Sequence, residues 1–206
     1  MVLANPQTGE VHRLEPHQAA WFRRDTWHHA FSFGSEQLRV LEFFAPPPAA
    51  GASSAYARQQ ELLVDSTYRD DAWLGGWPMR RDEHDRAATM HVLREGDLLW
   101  RLEGSGGGAL SAIYLSTEHI TAGKVELRPG GQTEVMSHGG DKTLYLLQGT
   151  LNVLLPDADG PKGQRWFELA PRDGFFLPEG TRHQLRNFSG ETVRVMFAVA
   201  PDYRPG

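Results

Sequence analysis

The residues whose types and spacing suit chemistry are His138, Lys142 and His183, with Glu134 just before the first. They lie in two stretches. Residues 130–149 read Gly-Gly-Gln-Thr-Glu-Val-Met-Ser-His-Gly-Gly-Asp-Lys-Thr-Leu-Tyr-Leu-Leu-Gln-Gly, and residues 172–187 read Arg-Asp-Gly-Phe-Phe-Leu-Pro-Glu-Gly-Thr-Arg-His-Gln-Leu-Arg-Asn. Imidazoles ligate divalent metals or carry protons near neutral pH, and two at strand ends of a small β-barrel can share one cavity. Strand alternation puts Glu134, Met136 and His138 on one face, so Glu134 can complete a two-histidine, one-carboxylate ligand set. Asp141 can do the same from the next loop, and the Met136 thioether suits copper(I). Lys142 has three readings: a salt bridge to Glu134 or Asp141, a clamp for an anionic substrate, or, once desolvated, a base. Without metal, His138 and His183 are cavity residues that bind ligand, move protons or hydrogen-bond to Glu134 or water.

Strands must position these groups. Thirteen Pro and 22 Gly punctuate short apolar runs, which argues for many strands and turns and an all-β fold. Strands are expected within residues 10–46, including 27–33 and 38–44, and again at 98–102, 109–116 and 119–127. Residues 47–95 read as a connector, with a short helix at 55–63 and Trp73, Trp77 and Met79 as anchors in a polar stretch.

An internal repeat sets the architecture. Sliding the chain by 155 lays residues 16–46 on 171–201 without a gap, and nine of 31 positions are identical, His28/His183 among them. Ordinary residue usage predicts about two. His28 is expected to be a packed histidine, His29 to be exposed and His119 to face the cavity. Trp166, Phe167, Phe175 and Phe176 alternate around the barrel and are expected in its core rather than as a stacking platform, and the glycine-rich run 104–108 is a turn, because no Lys-Ser/Thr and no helix follow it.

The two stretches resemble the paired motifs of the cupin superfamily. Pro178, Gly180, His183 and Asn187 stand at the second motif's spacings, with Arg172 where its first Gly is usual; Gly130, His138 and Gly149 keep the first motif, with Met136 at its first His and Lys142 at its Glu. The resemblance implies a jelly-roll β-barrel over residues 96–206. With the repeat it implies a bicupin whose first copy, residues 1–46, is a half-cupin, joined by the connector 47–95. It also implies one divalent metal such as iron, manganese, nickel or zinc, with His138 and His183 as the matching ligands; Glu134 is the third ligand that strand alternation offers, and copper the metal that Met136 would suit. The implied activity is an isomerase, lyase or dioxygenase acting on a sugar or organic acid, with His138, His183, Glu134 and Lys142 catalytic. The alternative is a metal-free binding or sensing module without turnover.

Composition narrows the partners. A formal net charge of −5 with scattered basic residues argues against nucleic acid. No run of about 18 apolar residues argues for a membrane span, and no leader is visible, so a cytoplasmic protein is expected. The absence of cysteine removes disulfides and thiolate ligands. A homodimer is expected, because the aromatic strands of a half-cupin are costly to leave open.

Overall fold

A computed structural model describes residues 1–24, 26–46, 71–104, 106–156 and 165–204 of the chain. The helix expected at 55–63 lies outside them. Contacts divide the chain into a unit of residues 1–42 and 49–97 and a unit of residues 43–48 and 98–206.

The first unit contains strands β1 (Val2–Ala4), β2 (Val11–Arg13), β3 (Ala19–Phe22) and β4 (His29–Phe31), helix α1 (Arg81–Ala87) and strand β5 (Met90–Leu93). Three strands form an antiparallel sheet in the order β2-β1-β4, and β3 pairs with β5. Leu3, Leu14 and Met90 are its buried apolar centre.

The second unit is a two-sheet barrel. Strands β6 (Leu99–Glu103), β7 (Ala109–Ser116), β8 (Thr121–Leu127), β9 (Asp141–Gln148), β12 (Gly174–Leu177) and β14 (Val193–Ala200) make an antiparallel sheet in the order β12-β9-β14-β8-β7-β6. Strands β10 (Leu151–Leu154), β11 (Trp166–Leu169) and β13 (Gln184–Arg186) make the second, in the order β11-β10-β13. Alternation turns Leu144, Leu146, Val125, Leu127, Val195 and Phe197 into one core with Val153, Leu169 and Leu185 of the second sheet. Of the four aromatics expected in the core, Phe167 and Phe175 pack on it, whereas Trp166 and Phe176 are exposed, because neighbouring residues of a strand point to opposite faces.

The 155-residue repeat recurs in the register of the two units. Strand β2 begins 155 residues before β11, β3 spans the residues 155 before β12, and β4 spans those 155 before β13. The order β2-β1-β4 matches β11-β10-β13, and Leu3 faces His12 and Ala30 where Val153 faces Phe167 and Leu185. The two non-glycine residues with left-handed backbone among the described residues, His17 and Arg172, are also 155 apart. Arg172 thus adopts, at φ 82°, the conformation that the motif's usual Gly takes without steric cost.

Three expectations need correction. Residues 38–44 form no strand, although their counterpart β14 is hydrogen-bonded on both sides. Strand β1 was hidden because its three residues are too few to show a period. Strand β5, inside the expected connector, occupies the place beside β3 that β9 holds beside β12: Phe22 faces Met90 as Leu177 faces Lys142.

Candidate functional site

The site is assembled by a narrow antiparallel bridge. Met136 and His183 exchange both backbone hydrogen bonds, at 2.9 and 2.8 Å, and the Gly180 N–H donates to the His138 carbonyl at 2.9 Å. The turn at Pro178-Glu179-Gly180 thereby ties the ends of both motifs together. Gly180 has φ 72°, a conformation that disfavours any side chain. Lys142 enters from β9, on the inward row with Leu144 and Leu146.

Each histidine's tautomer is fixed. His138 Nδ1 lies 2.6 Å from the Tyr203 carbonyl, and His183 Nδ1 lies 2.9 Å from the Thr181 carbonyl. A carbonyl only accepts, so both Nδ1 atoms carry the proton and both Nε2 atoms present a lone pair. These lone pairs converge on Lys142 Nζ, at 3.2 Å from His138 and 3.1 Å from His183. The third contact of Nζ is the Met136 sulfur at 3.7 Å, and the Phe197 ring lies 5.5 Å away. The Tyr203 ring covers His138, with centroids 4.7 Å apart.

An ammonium has three N–H donors, and here it has three acceptors. All of this is buried: His183 is 1%, Lys142 2% and His138 5% exposed. Burial, reinforced by the Lys142 charge, pushes His138 down to about 4 and His183 to about 3, so both imidazoles are neutral at physiological pH. Burial also lowers Lys142 to about 8, with the Glu103 carboxylate pulling the other way.

The donor set does not fit the implied metal ion. While charged, Lys142 has no lone pair to give, and a divalent ion 4 Å from it would meet repulsion on the order of 8 kcal/mol at an effective dielectric of about 20. Neither carboxylate proposed from the sequence joins the histidines. Glu134 is exposed, and its carboxylate makes no hydrogen bond or ion pair among the described residues; 131–136 runs as irregular chain, held by isolated bridges at Gln132 and Met136 and by hydrogen bonds of Thr133 to Gln184 and Leu185. Asp141 faces outward and accepts the Glu179 N–H at 2.9 Å. Among the described residues, no cluster of three or more His, Asp or Glu side chains is arranged to hold a metal.

The other histidines lie elsewhere. His119 is exposed beside Glu118 rather than facing the cavity. His28 repeats the His183 hydrogen bond, its Nδ1 lying 2.9 Å from the Thr26 carbonyl, but its ring is exposed and leans on Phe22, 4.2 Å between centroids. Its neighbour His29 is exposed as expected.

Residues 123–199 match the family model described as the cupin domain. The barrel has the cupin-type jelly-roll fold. Three solved structures illustrate what it is similar to. The polyketide cyclase RemF from Streptomyces resistomycificus is 21% identical over 54% of this chain and 80% of its own, with a TM-score of 0.46. The protein TT1209 from Thermus thermophilus is 26% identical over 49% and 89%, with a TM-score of 0.41. KdgF from Halomonas sp. is 20% identical over 53% and 93%, with a TM-score of 0.42. Among curated proteins no match was found. Within the barrel, Tyr203 and the Thr181 carbonyl belong to the site without any signal in the sequence: Tyr203 lies beyond the second motif, and a carbonyl acceptor leaves no trace in residue type. No helix among the described residues is long and apolar enough to cross a membrane.

Proposed function

We propose that this cupin-type barrel binds a small polar molecule without a metal ion, the Lys142 ammonium supplying the positive charge at its centre. The observation that carries the reading is the position of Nζ, 3.2 and 3.1 Å from two imidazole nitrogens that can only accept. Both places where the first motif departs from the family pattern, Met136 and Lys142, are accounted for together, since the thioether accepts the donor that the histidines leave over. The test is metal analysis by inductively coupled plasma mass spectrometry on untagged protein purified without chelator. Metal well below one equivalent per chain supports the reading. Near-stoichiometric metal that disappears in His183→Ala overturns it.

A catalytic reading draws on the placement of Lys142 Nζ between two imidazole nitrogens, 3.2 and 3.1 Å away, where burial lowers the amine to about 8. An amine near neutrality flanked by two neutral imidazoles can relay a proton, which would serve an isomerase or lyase acting on an organic acid. His138, His183 and Lys142 are its candidate residues, and Glu134 is absent from that set. Turnover abolished in Lys142→Met would favour this reading over binding alone.

For the first unit, the matching registers favour a half-cupin copy. Its exposed Phe33 (78%), Val40 (51%) and Leu41 (40%) favour the expected homodimer. Sedimentation velocity on wild type and Val40→Glu/Leu41→Glu tests that assembly.

A further inference from the structure

One row of side chains on the barrel wall remains unexplained by the cluster around Lys142. In the β6-β7 ladder Arg101 faces Ser111 and Glu103 faces Ala109. Ala109 belongs to the barrel core, and Ser111 faces core residue Val125 on its other side, so the row points inward. Directly opposed residues of an antiparallel pair have side chains in reach of one another. Ser111 is 1% exposed, and its Oγ is buried with no hydrogen-bond partner among the described residues. Native proteins leave few such groups, and a ligand that bonds to one removes the penalty. The Arg101 and Glu103 side chains likewise make no hydrogen bond or ion pair among the described residues. Their charges reach the centre of the barrel all the same. Glu103 acts on Lys142, and Glu103 and Arg101 act in opposite directions on the Tyr203 phenol. Arg101 is exposed and Glu103 partly so, which leaves the row open to solute while Ser111 lies below the surface.

We propose that Arg101, Glu103 and Ser111, with the Tyr203 hydroxyl, form the polar wall of a site for a small monoanionic hydroxy acid. The charges select that class. Arg101 and Lys142 against Glu103 leave one net positive charge, which one carboxylate neutralises; a neutral sugar or a zwitterion leaves it unpaired, and a dianion overshoots. Arginine's planar fork takes a carboxylate through two parallel bonds. The Glu103 carboxylate is acceptor-only and needs a donor, which the acid's hydroxyl supplies. Ser111 Oγ can donate to or accept from either group. This inference rests on the metal-free binding reading and names its ligand class.

Isothermal titration calorimetry on the full chain at pH 7 tests it with lactate and glycerate as probes and with acetate and glucose as comparisons. Lactate or glycerate should bind, and acetate and glucose at least tenfold more weakly. Arg101→Gln should weaken binding at least tenfold, and Glu103→Gln and Ser111→Ala several-fold. Ser111→Ala should leave the melting temperature unchanged or raised, since it removes an unpaired buried hydroxyl, so weaker binding cannot be put down to misfolding. Equal affinity for all probes, no binding of either hydroxy acid, or wild-type affinity in Arg101→Gln and Ser111→Ala would overturn the proposal. Metal analysis on the same preparation separates the two failures. Stoichiometric metal sinks the metal-free reading, whereas metal-free protein that ignores hydroxy acids sinks only this inference.

Discussion

Lys142 Nζ lies 3.1 Å from His183 Nε2, and that nitrogen has no proton to offer, because the ring's other nitrogen donates to the Thr181 carbonyl. The two atoms therefore form a directed bond from cation to lone pair, and an arriving metal ion would have to break it. Removing the ammonium should free both imidazoles. In the double variant Met136→His/Lys142→Glu, the motif regains the residue types that the family resemblance assigns to ligands. We expect zinc, nickel or manganese to bind at close to one equivalent by calorimetry, where wild type binds none. Loss of that binding on adding His183→Ala would locate it. A double variant that folds but ignores all three ions would show that the site is closed to metal by something other than Lys142.

Lys142 should make stability depend on alkaline pH. Its folded value, about 8, lies below the ordinary 10.5. Between those values the unfolded chain holds more protons than the folded one, so stability rises with pH across that window and is lowest, through this group, below pH 8. The full change is on the order of 3 kcal/mol for a side chain so deeply buried. Urea unfolding of wild type from pH 7.5 to 10.5 should show the rise, and Lys142→Met should flatten it. A wild-type profile that falls across the window as steeply as the variant's would contradict the burial argument.

The histidines act at the acid end. Their folded values, about 4 and about 3, lie below the ordinary 6.5. Again the unfolded state binds more protons in between. The contribution is whole above pH 6.5 and is lost as pH falls through the folded values. His183→Gln should reduce the slope of stability between pH 6.5 and 4 by about one proton's worth, read by urea unfolding at fixed pH steps. An unchanged slope would mean that His183 is not the buried neutral group described.

The sequence carried the barrel because its inward residues repeat with period two and its turns are punctuated by Gly and Pro. Leu144, Leu146, Val153, Val195 and Phe197 could be placed by alternation alone. The histidine pair was legible for the same reason, through the spacing from Gly130 to His138 and from Pro178 to His183. Glu134 misled because alternation was assumed through 134–138, whereas backbone pairing there reduces to single bridges. Tyr203 and the row of Arg101, Glu103 and Ser111 were not legible. Which residues oppose one another across β6 and β7 depends on ladder register, and register is fixed by the fold rather than by either strand's own composition.

Asn187 tests how far the second motif holds the barrel apart from any ligand. Its side chain is fully buried, and its Nδ2 lies 3.0, 3.1 and 2.6 Å from the carbonyls of Leu127, Arg128 and Glu191. Its Oδ1 accepts from the Ser189 N–H and hydroxyl at 2.9 and 2.7 Å. One amide thus ties the end of β8 to the turn before β14, and the repeat keeps a reduced version in Ser32, whose hydroxyl donates to the Glu36 carbonyl at 2.9 Å. Asn187→Ala strands several buried groups at once, so a loss of about 2–4 kcal/mol is expected in urea unfolding. Asn187→Asp keeps the acceptor but gives up both donors and places a charge among carbonyls, so it should cost at least as much. Ser32→Ala should cost under about 1 kcal/mol, because its hydroxyl is exposed. If Asn187→Ala cost no more than Ser32→Ala, the amide would be a passenger of the motif rather than the tie between those two segments.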